Sequence, residues 1–228
     1  MDFLTIAAGR DVRHEVDVKK SRFLTVLRRM DSETDAKGLV EEQRRLLPDA
    51  RHHCWAFVAF DEDLGTGSVV ARSGDDGEPS GTAGMPMLQA LQAGPPGQSS
   101  SRNGSPAQRI ESAGLVNVAA VVSRYFGGTL LGTGGLIRAY SGAVANAVDM
   151  AVTVRRRRSE LAELAVDHAV AGRVESELRA RGVRVLGVRY DDRAILTLAV
   201  TGELSAAVAA ITSGEGLLRP AGFRWMDE

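Results

Sequence analysis

VNVAAVVSRYFGGTLLGTGGLIRAYSGAVANAVDM, residues Val116 to Met150, changes character twice. Val116 to Ser123 is apolar and rich in β-branched side chains, the composition of a buried strand. Leu136 to Met150 reads as an apolar helix with small residues at close-packing positions. Between them, Ser123 to Gly135 (SRYFGGTLLGTGG) is dense in glycine. A strand, a glycine-rich turn and a helix start bring free backbone N–H groups and the positive end of a helix dipole to one place, which suits an anion. The spacing is neither that of a Walker A loop nor that of a dinucleotide-binding βαβ turn. The same glycines can equally serve close packing of the helix on a sheet, and both readings stay open. Arg124 and Arg138 flank the turn, with Tyr125 and Phe126 between them. Arginine beside exposed aromatics holds phosphates and stacks bases, or an arginine from here pairs with an acid inside the protein.

The acids stand upstream, in Arg72 to Gly84 (RSGDDGEPSGTAG). Asp75, Asp76 and Glu78 together are the oxygen donors a hard cation such as magnesium takes; no other cofactor is expected. The competing reading is a tight turn whose acids are solvated and cap a helix starting near Thr82. The spacing matches no calcium loop. Further upstream lies Arg51-His52-His53-Cys54-Trp55. In a strand His52 and Cys54 share one face and His53 and Trp55 the other, so a Cys–His dyad is conceivable, although a core cysteine with a satisfied histidine is the better reading. Zinc lacks further ligands, and no G-x-S-x-G elbow marks a serine hydrolase.

Around these segments, Lys20 to Met30 reads as a strand and Ser32 to Leu47 as a helix capped by Ser32 or Thr34 and ended by Pro48. His53 to Phe60 reads as a buried strand. Ala93 to Ala113 (AGPPGQSSSRNGSPAQRIESA) has the Gly, Pro and Ser content of a flexible loop, and Arg155 to Arg158 looks like a linker. Beyond it come strand, helix, strand, strand, helix, strand (Leu161–Val166, Val170–Arg181, Val183–Tyr190, Ala194–Thr201, Leu204–Thr212, Leu217–Trp225), with a hairpin signal at Asp191-Asp192. That is the split βαβ order of a ferredoxin-like domain. The expected division is an N-terminal domain over 1–152, a basic linker over 153–158 and a C-terminal domain over 159–228.

The whole chain has 228 residues and a formal net charge of −1, so no global field draws it to a polyanion or an acidic membrane. Cys54 is the only cysteine, which rules out an intramolecular disulfide and favours a cytoplasmic address. No signal peptide and no membrane span is read.

KSRF (Lys20 to Phe23), DARHHCWAF (Asp49 to Phe57), SGDDGEPSGTAGMP (Ser73 to Pro86) and SRYFGGTLLGTGGLIRAY (Ser123 to Tyr140) closely resemble the YigZ/IMPACT family in order and spacing. The part after Arg158 is similar to the small ferredoxin-like domain of bacterial members. The resemblance implies an α+β protein: a ribosomal protein S5 domain 2-like fold followed by a domain like the closing one of elongation factor G. It implies binding of nucleic acid or action near the ribosome; eukaryotic relatives restrain the activator of a starvation-responsive initiation-factor kinase. No settled catalytic activity comes with it. The positions it marks are His52, Cys54, Asp75, Asp76, Glu78, Ser80, Thr82, Arg124, Tyr125, Gly127, Gly128, Gly132, Gly134, Gly135 and Arg138. Leu131 stands where members often carry lysine, His53 replaces a common asparagine, and the 93–113 connection is longer than usual.

The expectation is therefore a translation-associated regulator that is not an enzyme. It binds RNA, the ribosome or a ribosome-linked protein through the Gly/Arg/acid face of its N-terminal domain. Arg124 and Arg138 meet phosphate or an acidic partner, Tyr125 stacks, and the acids orient the arginines or hold magnesium. The alternative is an enzyme acting on a phosphorylated small molecule or nucleotide with a divalent metal.

Overall fold

Strand β3 (Ser21–Arg29) buries Phe23, Val26 and Leu27, and because successive strand residues face opposite ways, both of its faces need cover. The computed structural model describes residues 2–61, 68–96, 114–200, 202 and 204–228. It divides the chain into two units, one running to Arg156 and joined by Glu228, the other from Arg157 to Asp227. In the first, β2 (Val12–Val18), β3, β6 (Val118–Tyr125), β4 (His52–Asp61) and β5 (Ser68–Gly74) form an antiparallel sheet in the order β2-β3-β6-β4-β5. β1 (Asp2–Ile6) lies apart from this sheet, and its Leu4 bridges to Leu115.

Helix α1 (Glu33–Leu46) covers one face. Its Ala36, Leu39 and Val40 pack on Val26, Phe57, Ala119 and Val121. It starts where a capping box closes: the Asp35 N–H donates to Ser32 Oγ while the Asp35 carboxylate accepts from the Ser32 N–H. The other face carries α2 (Gly84–Ala93) and α3 (Thr133–Met150), and Tyr140 of α3 meets the Phe23 ring edge-on at 5.2 Å.

The second unit follows the order β7 (Thr153–Val166), α4 (His168–Ala180), β8 (Val185–Tyr190), β9 (Ala194–Ala199), α5 (Leu204–Ile211) and β10 (Leu218–Asp227). Its strands are arranged β10-β7-β9-β8, the ferredoxin-like arrangement. Leu164, Leu178, Leu196, Leu198 and Val208 anchor its core.

Three differences from the expected layout have physical reasons. The run Arg155 to Arg158 contains the break between the two units, but it is strand rather than irregular chain, lying inside β7. Alternation sends neighbouring arginines to opposite faces, and counter-charges wait for them: Asp2 at 3.2 Å from Arg155, Asp31 at 2.8 Å from Arg156 and Glu160 at 3.3 Å from Arg158. β2 and β5 went unread because both are sheet edges with half-exposed, charged or small side chains, so neither shows an apolar run. Helix α3 begins three residues before Leu136, at Thr133, taking glycines into its first turn. Of the expected loop 93–113, Ala93 closes α2 and 97–113 lies outside the described residues. Among the described residues no helix is long and apolar enough to cross a membrane.

Candidate functional site

Past β5 the chain turns sharply, with Asp76 at φ +44 and Gly77 at φ +84, a region aspartate tolerates and glycine adopts freely. Asp75 points back into its own loop. Its carboxylate accepts from the N–H groups of Gly81 (2.8 Å), Ala83 (3.0 Å) and Gly84 (2.8 Å), capping α2, whose N-cap Ala83 has no side chain for the task. Burial works against the charge, but these three donors hold the Asp75 carboxyl below the usual range. Asp76 accepts from the His53 N–H at 2.6 Å and from Arg44 Nη2 at 2.7 Å. It too stays below the usual range, burial being outweighed by these donors. Glu78 turns the other way, toward Arg124. Three carboxylates within four residues of sequence thus serve three separate sets of donors. Among the described residues no group of three or more His, Cys, Asp or Glu side chains can hold a metal ion, and the acids do not fit the magnesium site expected of them.

His52 and Cys54 do share a face, with His53 and Trp55 on the other. Instead of forming a dyad, each holds the loop's backbone: His52 Nδ1–H donates to the Asp76 carbonyl at 2.8 Å and the Cys54 thiol to that of Asp75 at 3.0 Å. Cys54 is fully buried, and burial pushes its thiol up to about 12. At pH 8 only about one molecule in ten thousand carries the thiolate. Native protein should therefore resist a thiol reagent such as dithionitrobenzoate for hours and react with one equivalent once unfolded in urea. Rapid native labelling would show that the thiol is accessible.

The second glycine-rich segment does converge on the first. Arg124 Nη1 donates to Glu78 Oε1 at 2.6 Å, Tyr140 Oη to the same oxygen at 2.8 Å, and Arg124 Nη2 reaches Ser21 Oγ at 3.4 Å. Burial raises the Tyr140 hydroxyl far above its ordinary value, reinforced by neighbouring Cys54 and Glu78. Arg124 is only 5% exposed, which corrects the expectation that it meets phosphate: strand register places it on the α2/α3 face beside Phe23 and His52, beneath the helices. Thr82 is buried too, its hydroxyl donating to the Pro79 carbonyl at 2.7 Å, while Ser80 is exposed.

What opens to solvent lies around the end of β6. Arg22 stands over the Tyr125 ring at 4.6 Å, and Arg51 over the Phe126 ring at 5.9 Å. Both arginines are exposed; Phe126 rests on the Arg124 guanidinium at 5.6 Å and is 38% exposed. Gly128 and Gly132 are exposed at positive φ. Helix α3 has no side-chain N-cap and no acid in its first turn, leaving the N–H groups around Gly134 and Gly135 unshielded by a carboxylate. Arg138, one turn on, is exposed and makes no ion pair among the described residues. Arg22 and Arg51 were not singled out from sequence, because their aromatic partners lie across strand pairs whose register the motifs do not reveal.

The Impact N-terminal domain matches residues 19–96 and 95–148, and a domain of unknown function, DUF1949, matches 164–215. IMPACT family member YigZ of Escherichia coli is 36% identical over 205 residues, 87% of this chain and 88% of its own. IMPACT family member YvyE of Bacillus subtilis is 32% identical over 179 residues, 78% of this chain and 71% of its own. A crystal structure described as that of a hypothetical protein is 34% identical, covers 95% of this chain and 96% of its own, and has a TM-score of 0.61.

Proposed function

The chain belongs to the IMPACT family, and from that membership and the open end of its first sheet we propose a translation-associated regulator that binds single-stranded RNA, free or on the ribosome. The observation that carries this reading is the pair of guanidinium–aromatic contacts, Arg22 with Tyr125 and Arg51 with Phe126. Aromatic faces stack bases without regard to sequence, and the cations beside them meet the backbone phosphates. Arg138 and the uncapped start of α3 add a further place for phosphate. With a formal charge of −1 on the whole chain, attraction has to be local, and these three arginines supply it. The acids act internally, holding the loop and Arg124 in place. The metal-dependent enzyme reading draws no support from carboxylates that diverge.

The test is fluorescence anisotropy with a labelled RNA decamer across a salt series. Arg22→Ala with Arg51→Ala should weaken binding about tenfold or more. It should also make the slope of log K against log salt shallower by about 1.4, from ~0.7 per lost phosphate contact on a single strand. Unchanged affinity and slope would remove these residues from the interface.

A further inference from the structure

The hairpin between β2 and β3 has a loop of two residues: Val18 pairs with Ser21, which leaves Lys19 and Lys20 to make the turn. They sit at φ +46 and +69. A two-residue loop with φ > 0 at both positions is a type I′ turn, whose twist matches that of the strands and whose preferred pair is Asn-Gly. Lysines suit it poorly, because in the left-handed region a Cβ crowds the following carbonyl and lysine has no short polar group to offset this by a local hydrogen bond. Among the described residues they are the only adjacent pair of non-glycine residues at positive φ, and Asp76 and Asn117, also there, are of the types that tolerate it. Local stability does not account for Lys19 and Lys20, and sequences depart from local rules mostly at functional positions.

Both lysines are exposed, and neither has an ion-pair partner among the described residues. Arg22, two residues on, is less free, with Glu15 at 3.6 Å. The turn is also fixed in place. The Lys20 carbonyl lies so close to Gly127 that a Cβ there would overlap it, and the Gly127 N–H donates to Ser21 Oγ at 3.2 Å. Because β3 is the immediate neighbour of β6, about 4.8 Å across the sheet, the two lysines stand beside the segment that carries Tyr125 and Phe126.

We infer that the Lys19–Lys20 turn is a phosphate grip, and that its ligand is the backbone of a single RNA strand whose bases stack at Tyr125 and Phe126. Tyr125 faces the α1 side of the sheet, whereas Phe126 rests on Arg124 on the opposite side. A strand that stacks on both rings crosses the end of the sheet, and the phosphates between those bases pass the turn. A lysine ammonium is a compact charge with three rotatable donors, which holds a phosphate without demanding one orientation of it. This inference rests on the RNA-binding reading above and adds the cations that hold the backbone between its two stacking positions.

The test uses the mismatch between these residues and their turn. Lys19→Asn with Lys20→Gly supplies the pair that a type I′ turn prefers and removes both charges. The thermal midpoint of this uncharged variant should equal or exceed that of the wild type. Fluorescence anisotropy with the labelled RNA decamer should show binding about tenfold weaker or more at low salt, and a slope of log K against log salt shallower by about 1.4, from two phosphate contacts at ~0.7 each. Lys19→Arg with Lys20→Arg, no better suited to the turn but still charged, should bind RNA as the wild type does. An uncharged variant with wild-type affinity and slope, or a charged variant that loses as much as the uncharged one, overturns the grip. The two readings fail separately. A wild type that leaves the decamer unbound ends the RNA reading and the grip with it. RNA binding that falls in Arg22→Ala with Arg51→Ala but not in the uncharged variant keeps the platform and discards the grip.

Discussion

Replacing Arg124 with alanine should destabilise the first unit by about 3–5 kcal/mol, the range for removing one partner of a buried ion pair. The Arg124 and Glu78 side chains are 6% and 4% exposed, with nitrogen and oxygen 2.6 Å apart. Without the guanidinium, Glu78 keeps, among the described residues, only the Tyr140 hydroxyl as a side-chain donor and is left as a buried group without its counter-charge. Urea unfolding followed through Trp55, which belongs to the first unit, measures the loss. Removing both charges tests the cause: Arg124→Met with Glu78→Leu should regain most of the stability, since apolar replacement of a buried pair is often neutral. A single-variant loss below about 1 kcal/mol would mean that water reaches the pair. The consequence for function is direct. An Arg124 variant that fails to bind RNA reports on folding, so the interface has to be tested at Arg22 and Arg51, which are exposed.

The same residue shows what could be read from the sequence. That the segments around Asp75 and Arg124 come together was legible, because their charges and glycines call for each other. Whether they face solvent was not, because that depends on a one-residue choice of register. Arg124 pairs with Phe23 and His52 and goes under the helices, whereas Tyr125 beside it pairs with Arg22 and goes to the other face. Strands β3, β4 and β6 were readable from their apolar runs, and α1 from its cap and periodicity, since burial on both sides of a central strand leaves a strong compositional trace. The edges β2 and β5 leave almost none. A basic run such as Arg155 to Arg158 suggests a solvated hinge only until acids held by distant parts of the chain, Asp2 and Asp31, are placed against it.

Glycines in the second segment should separate sharply by effect, with Gly127→Ala losing about 4 kcal/mol or more, the magnitude reserved for outright steric failure. A Cβ at Gly127 would overlap the Lys20 carbonyl group and lie 2.5 Å from the Ser21 nitrogen, all backbone atoms with nowhere to retreat. The close approach is fastened by the Gly127 N–H donating to Ser21 Oγ at 3.2 Å, where Lys19 and Lys20 turn at φ +46 and +69. Gly128 and Gly132 have open space where a methyl group would stand but sit at φ +81 and +70, so alanine there should cost backbone strain of about 1–3 kcal/mol, the more at Gly132, whose ψ of 167 puts it in a region that essentially only glycine enters. Gly134, inside α3 with only the flexible tip of Arg138 nearby at 3.7 Å, should accept alanine with no loss or a slight gain in helix stability. Thermal unfolding of the four single variants checks the order. Equal losses at Gly127 and Gly134 would mean that the β6 end does not press against the Lys20 turn. Because Phe126 directly precedes Gly127, that contact also fixes where the aromatic platform stands: any variant at Gly127 that still folds should bind RNA more weakly than its stability alone predicts.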